Sequence, residues 1–214
     1  MSGKIEELEG AAVSQYKGDY RRIPESVRKR LPKIHVLTHA ELRRLFSVIT
    51  DLRDRAMFLV AYRHGLRASE VALLKTGDLD LDQPKITIRR LGGRTPADHD
   101  LQKDESVALR LYLESRNRDS VILFTGSGGR PISRRGLDWL MKQYCEHAKL
   151  PGEKRHFHAL KHSIATHLFG AGADLRFIHE WLGHTVLQST AVYLYLAKAA
   201  PGDKSRSGWF PKLA

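Results

Sequence analysis

The chain has one cysteine, Cys145, in 214 residues. A lone cysteine excludes an internal disulfide and any cysteine-based zinc cluster within one chain, and it points to a reducing compartment, the cytoplasm. No stretch approaches the roughly 18 apolar residues that a membrane-spanning helix requires. The opening Met1-Ser2-Gly3-Lys4-Ile5-Glu6-Glu7 lacks the apolar core of a secretory leader. Acidic side chains are in deficit. There are 24 Asp and Glu against 36 Lys and Arg, a formal net charge of +12. Such a surplus calls for an anionic partner, with nucleic acid first and an anionic membrane surface second. No basic amphipathic helix with a broad apolar face stands out, which weakens the membrane alternative. With 42% apolar residues the chain can bury a real core.

Apolar periodicity is poor in residues 1–33, which read as a basic arm. Tyrosines interleave with cations in Tyr16-Lys17-Gly18-Asp19-Tyr20-Arg21-Arg22, and Arg28-Lys29-Arg30 follows. Two readings stay open: an arm along a phosphate backbone, or a solvated tail. Order begins at Leu37-Thr38-His39-Ala40-Glu41-Leu42, where Thr38 and Glu41 have capping-box spacing and Leu37 can staple onto Leu42. Leu42, Leu45, Phe46 and Ile49 then form one helical face. A second helix is expected from about Arg53 to His64, ended by Gly65, and a third from about Ser69 to Lys75. The alternations Asp78–Leu81 and Lys85–Arg89, with a turn at Gly92-Gly93, predict a small antiparallel sheet with a basic hairpin. Helix returns from about Asp104 to Arg116, with Val107, Ala108 and Leu111 expected on one side.

The loop Thr125-Gly126-Ser127-Gly128-Gly129 has the composition of a phosphate cradle without the spacing of a P-loop, and a linker turn is the better reading. Ser133 caps the next expected helix, whose stripe is Leu137, Leu140, Met141, Tyr144, Cys145 and Ala148. Cys145 is a small core residue in that stripe rather than a nucleophile. Further helices are expected at about His158–Phe169, Asp174–Leu182 and Gln188–Leu196. The fold class is α+β, mostly helical, with one small antiparallel sheet. The expected organisation is an arm at 1–33, a catalytic domain at 34–196 and a tail at 197–214.

Four clusters carry chemistry. In Gly65-Leu66-Arg67-Ala68-Ser69-Glu70, an arginine between a helix-ending glycine and a new helix start is placed to hold an anion, with Glu70 to orient it. The bland alternative is a surface ion pair. In His158-Ala159-Leu160-Lys161-His162, His158 and Lys161 share a helical face and offer two donors to one phosphate. His158 and His162, with His167 or His184 as a third ligand, could instead bind zinc, but the zincin glutamate is missing. The third cluster is Leu182-Gly183-His184. The fourth is Tyr193, nine residues later, which alone reads as a packing residue.

Taken in order, these clusters resemble the signature of the tyrosine recombinase, or phage integrase, family. The likeness runs from about Thr38 to Leu196. The segment Arg89-Arg90-Leu91, with His99 and Leu101 after it, is most similar to the short fimbrial-switch recombinases, which are little more than a catalytic domain. The resemblance implies a tyrosine recombinase catalytic-domain fold. It implies Tyr193 as nucleophile, Arg67 as first catalytic arginine, Glu70 as its acidic partner, and His158 and His184 as the two histidines. It also implies site-specific DNA breakage and rejoining through a covalent phosphotyrosine, with neither cofactor nor metal. Double-stranded DNA is the implied partner, contacted by Arg89, Arg90, Arg94, Arg134 and Arg135. The implied assembly is a homotetramer on DNA, held by exchange of a C-terminal segment for which Trp209-Phe210 is the anchor.

Two positions depart from the pattern. Lys161 stands where the family has its second catalytic arginine, keeping the charge but losing the bidentate fork. The hairpin lysine that protonates the leaving oxygen is not evident either. The turn reads Gly92-Gly93-Arg94, and Lys85 enters the strand too early. The family's long N-terminal DNA clamp has no counterpart in the arm. The alternatives are therefore a catalytically weak or inactive DNA-binding relative and, third, a type IB topoisomerase-like enzyme.

Overall fold

The computed structural model describes residues 34–92, 95–116, 120–183 and 213. The chain divides into two compact units. Among the described residues, the larger holds 35–163 and 213, and the smaller holds 34 and 164–183.

In the larger unit, α1 spans His39–Val48 and opens with the expected capping box. Thr38 Oγ1 accepts from the Glu41 N–H at 3.2 Å, and Glu41 Oε2 accepts from the Thr38 N–H at 2.7 Å. Leu42, Leu45, Phe46 and Ile49 are buried as their spacing requires. The Leu37 N–H donates to Ser163 Oγ at 2.8 Å, fixing how the chain enters α1.

Helix α2, Leu52–Arg63, is capped by Asp51 and buried on nearly every side from Ala56 to Arg63, so it is the central helix of the unit. It ends in a Schellman turn at Gly65, whose φ of 57° is left-handed. The Gly65 N–H reaches Tyr62 O at 3.2 Å, and the Leu66 N–H reaches Ala61 O at 2.9 Å. Phe58 of α2 meets Tyr144 and Phe157 edge to face, with ring centroids 5.7 and 5.5 Å away.

The third helix, α3, is only Ala68–Val71. It is shorter than its sequence suggests because the chain leaves it to pair elsewhere. Lys75 bridges to Ile122, and Leu74 O accepts from the Leu123 N–H at 2.9 Å. A single 3₁₀ turn, Thr76–Asp78, then leads into the sheet. Strands β1 (Leu79–Asp80), β2 (Lys85–Ile88) and β3 (Ala97–Asp100) form an antiparallel sheet in chain order, with Leu79 opposite Ile86 and Ile86 opposite His99. Ile86 and Ile88 face inward.

Helix α4, Lys103–Ser115, packs on α2. Its buried face is Glu105, Ala108, Leu109 and Tyr112, while Val107 and Leu111 are exposed. The expected Val107–Ala108–Leu111 face is thus corrected. Glu105 sets the rotation by accepting from His64 at 2.8 Å, and Tyr112 Oη donates to Leu123 O at 2.9 Å. The Gly-rich loop closes as a turn, with the Gly126 N–H on Arg130 O at 2.7 Å.

Helix α5, Arg134–His147, is capped by Ser133, whose Oγ accepts from the Gly136 N–H at 3.0 Å, and it packs on α1. Leu137, Met141 and Cys145 are buried, and burial pushes the Cys145 thiol up to about 12. Helix α6, His158–Gly170, begins in the larger unit and continues beyond Ser163 into the smaller one. In the smaller unit, α7 (Leu175–Leu182) is capped by Asp174, stacks Phe177 on Trp181 at 5.4 Å and ends at the left-handed Gly183, φ 62°. The fold is therefore α+β and mostly helical. The expected helix at Gln188–Leu196 lies outside the described residues.

Candidate active site

The Schellman turn delivers Arg67 two residues past the left-handed glycine, at the N-cap of α3. Glu70, three residues on, turns its carboxylate back onto it. Oε2 accepts the Arg67 backbone N–H at 2.8 Å, and Oε1 accepts Nη1 at 3.0 Å. The Glu70 side chain is fully buried, whereas that of Arg67 is 37% exposed. The arginine is thus anchored from behind and open in front.

Burial alone would raise the Glu70 pKa. The charges of Lys161 and Arg90, the Arg67 N–H and the Arg67 guanidinium outweigh it, so the carboxyl is held below its usual value. Three cations therefore converge on one carboxylate, and the surplus charge is positive.

The opposite part of the site comes from the start of α6. The Phe157 N–H donates to Asp138 Oδ1 of α5 at 3.1 Å, and Phe157 packs on Phe58. That anchorage fixes where the helix begins and hence where His158 stands. His158 reaches the surface, while Lys161, one turn on, is 1% exposed. Desolvation pushes the His158 pKa down to about 4, helped by the charges of Lys161, Arg67, His156 and Arg134. His162, brought edge to face with His158 at 4.3 Å, is pushed down to about 3 by desolvation and by His158, His156, Lys161 and His35. Both imidazoles are neutral at pH 7. Among the described residues, no group of three His, Cys, Asp or Glu side chains is arranged to hold a metal ion.

Arg67, Glu70, His158 and Lys161 are thus brought into one electrostatic neighbourhood within the larger unit. His184, Tyr193 and Arg94 lie outside the described residues, as do Trp209 and Phe210. Arg134 and Arg135 are exposed in the first turn of α5, where Arg134 makes a long contact to Asp138, 3.8 Å. Arg89 is 47% exposed and holds Asp78 at 2.8 Å. Lys85 is exposed at the first end of β2, opposite Asp100.

Arg90 is not on the surface expected of it. It is buried, with Nη2 on His64 O at 2.7 Å and Nη1 on Gly65 O at 3.2 Å and Glu70 Oε2 at 3.1 Å. Parity explains this: Ile86 and Ile88 point inward, and Arg90 continues the same alternation while Arg89 points out. A second buried polar group was also missed. His64 Nε2 meets Glu105 at 2.8 Å and Nδ1 meets His99 Nδ1 at 3.2 Å. His99 sits opposite Ile86 in the sheet, on the inward face, and desolvation with the charges of His64 and Arg90 lowers its pKa to about 2.

Residues 35–200 match the model of the phage integrase family. The chain belongs to that family. Among its relatives, tyrosine recombinase XerA of Thermococcus kodakarensis is 40% identical over 177 residues, covering 79% of this chain and 60% of the relative. Tyrosine recombinase XerC of Chromobacterium violaceum is 34% identical over 169 residues, 73% of this chain and 54% of the relative. This phage integrase family member thus spans only 54 to 60% of the length of these two curated relatives. The crystal structure of XerA recombinase superposes with a TM-score of 0.68 at 27% identity, covering 76% of this chain and 60% of that one. That likeness agrees with a tyrosine recombinase catalytic-domain fold. The finer likeness to fimbrial-switch recombinases finds no support in these relatives.

Proposed function

We propose that the chain is the catalytic part of a site-specific DNA recombinase that cuts and rejoins double-stranded DNA through a phosphotyrosine at Tyr193. The observation that carries this is the Arg67–Glu70 pair, sealed behind and open in front, with the Lys161 and His158 side chains bearing on the same site. A surplus of positive charge of this kind suits a phosphodiester.

In this reading the Tyr193 hydroxyl attacks the scissile phosphorus. The tyrosine gives up its proton as the bond to the 5′ oxygen breaks, and that leaving oxygen takes up a proton, which yields a 3′ phosphotyrosine and a free 5′ hydroxyl. The tyrosyl ester conserves the phosphodiester bond energy, so attack by a partner strand's 5′ hydroxyl rejoins DNA without ATP. Arg67, Lys161, His158 and His184 surround the non-bridging oxygens and stabilise charge that grows in the transition state. Each such donor contributes on the order of 3 kcal/mol. No metal enters this scheme, and cleavage is expected to be unchanged in excess chelator.

Arg89, Arg94, Arg134 and Arg135 contact the DNA backbone in this reading, and Arg90 is withdrawn from that set. The catalytic domain is 34–196, the arm at 1–33 follows phosphates, and the tail at 197–214 links protomers of a homotetramer on DNA. The compartment is the cytoplasm. No described helix is long and apolar enough to cross a membrane.

A second reading, a DNA-binding relative with weak chemistry, draws support from Lys161 and from the lysine-free turn at Gly92-Gly93-Arg94. The test is a nicked suicide duplex built from DNA flanking the gene. The recombinase reading expects a covalent protein–DNA adduct that Tyr193→Phe abolishes while leaving DNA affinity intact. Binding without adduct selects the second reading. Relaxation of supercoils without joining of two sites selects a type IB topoisomerase-like activity. Loss of the adduct in Tyr195→Phe but not Tyr193→Phe reassigns the nucleophile.

A further inference from the structure

Arg90 lies inside the protein beside the candidate site. Its side chain is only 4% exposed, two residues past β2, on the face where Ile86 and Ile88 set an apolar precedent. Burying a guanidinium carries a desolvation cost that only well-aligned partners offset, so an apolar residue would serve mere packing better. What Arg90 touches is specific. Its Nη2 donates to His64 O at 2.7 Å, and its Nη1 donates to Gly65 O at 3.2 Å and to Glu70 Oε2 at 3.1 Å.

Those three acceptors are the frame of the Arg67 turn. The Gly65 and Leu66 N–H groups fold back on α2 through the Schellman turn, while the His64 and Gly65 carbonyls lie at the negative end of the helix and accept from the guanidinium. Glu70 Oε2, shared between Arg90 and the Arg67 backbone N–H, closes the frame. A planar fork with several donors can bridge two carbonyls and a carboxylate at once, whereas an ammonium point charge cannot hold that geometry. Arg90 also follows β2 by two residues, so it staples the root of the 88–97 hairpin to the turn that presents Arg67.

We propose that Arg90 is a positioning residue: it locks the Gly65 turn and the Glu70 carboxylate so that the Arg67 guanidinium is presented in one fixed orientation to the bound phosphate. The proposal rests on the recombinase reading for its consequence in rate, and on geometry alone for its consequence in Arg67 order. Displacing a catalytic group by about 1 Å can cost roughly 100-fold in rate.

The test uses the 214-residue chain and the variants Arg90→Gln and Arg90→Lys. Three quantities are read: DNA affinity, the single-turnover adduct rate at saturating DNA, and the ¹⁵N side-chain resonance of Arg67, assigned by its loss in Arg67→Lys. Arg90→Gln is expected to slow the saturated rate by roughly 10- to 100-fold, to change affinity by less than about threefold, since a buried charge releases no phosphate counterion, and to shift or broaden the Arg67 resonance. Arg90→Lys, which keeps the charge without the fork, is expected to recover only part of the rate and of the resonance. It also replaces Arg90→Gln should that variant not fold.

An unmoved Arg67 resonance with an unchanged saturated rate overturns the proposal. So does a rate loss that vanishes at saturating DNA, because Arg90 would then act by binding. Should the parent chain form no adduct, the recombinase reading fails, and the Arg67 resonance alone decides: shifted in Arg90→Gln, the proposal stands; unmoved, it falls.

Discussion

Glu70 grips Arg67 at both ends, taking its backbone N–H on Oε2 at 2.8 Å and its guanidinium on Oε1 at 3.0 Å. The carboxylate therefore fixes both the chain direction at Arg67 and the direction of its side chain. Glu70→Gln keeps the shape but removes the charge that faces Arg67, Arg90 and Lys161. Breaking a buried pair from one side costs about 3 kcal/mol or more, because the partner charges stay behind. Urea unfolding at neutral pH is expected to show a loss of that order, and a midpoint within error of the parent would contradict it.

Lys161→Arg separates two roles for the buried ammonium. If Lys161 only stabilises phosphate charge, the planar fork of arginine gives equal or faster adduct formation. If it also protonates the leaving oxygen, arginine slows cleavage, and a substrate with a sulfur leaving atom restores the parent rate. The charge role is the expectation, because Lys161 shares the Arg67–Glu70–His158 neighbourhood. Rescue by sulfur would reverse that assignment, and a Lys161→Ala enzyme matching the parent on both substrates would remove both roles.

Acid stability follows from three histidines whose neutral form the fold favours. His99, His162 and His158 are held neutral, with pKa values pushed down to about 2, 3 and 4. Once unfolded they take up protons below about pH 6.5. The unfolded state therefore binds more protons from about 6.5 downward, and stability falls with pH across that window. The lowered carboxyls of Glu41 and Glu70 add to the loss only nearer their usual range, below about 4.5. Urea midpoints at pH 7.5, 6 and 5 are expected to decline, less steeply in His99→Gln, which removes one of these protons. A flat profile between 7.5 and 5 would refute the account.

DNA affinity is expected to fall steeply with salt, as cations displace counterions from the backbone. Arg134→Gln with Arg135→Gln removes two exposed charges at the start of α5. The log–log salt slope is expected to drop by about 2. Deleting residues 1–33 lowers the slope further if the arm lies on phosphates, and an unchanged slope makes the arm a bystander.

What the sequence disclosed follows how local each signal is. The Thr38–Glu41 capping box, the stop at Gly65 and the Ser133 cap are short-range devices, and all are found where their spacing puts them. Helix α3 ends early because Lys75 pairs with Ile122, a partner no local pattern announces. The face of α4 was misread from Val107 because its rotation is set by a buried acid, Glu105, that apolar periodicity does not count. Arg90 was legible in principle: a period of two running through Ile86 and Ile88 assigns it to the interior. The charge argument pointed outward and the parity argument inward, and the three acceptors around Arg90 decide for parity.

The buried Cys145 has a practical consequence. It is the chain's single thiol, it is fully covered on the inner face of α5, and its pKa near 12 leaves almost no thiolate at neutral pH. Alkylating reagents will pass it by in the folded protein. A cysteine introduced into the arm at 1–33, or at an exposed site such as Val121, therefore becomes the one reactive handle on an otherwise native background. Fluorescent, spin or cross-linking labels can then be attached at a chosen point, and the distance between the arm and a bound DNA duplex measured, whether or not the arm lies on it.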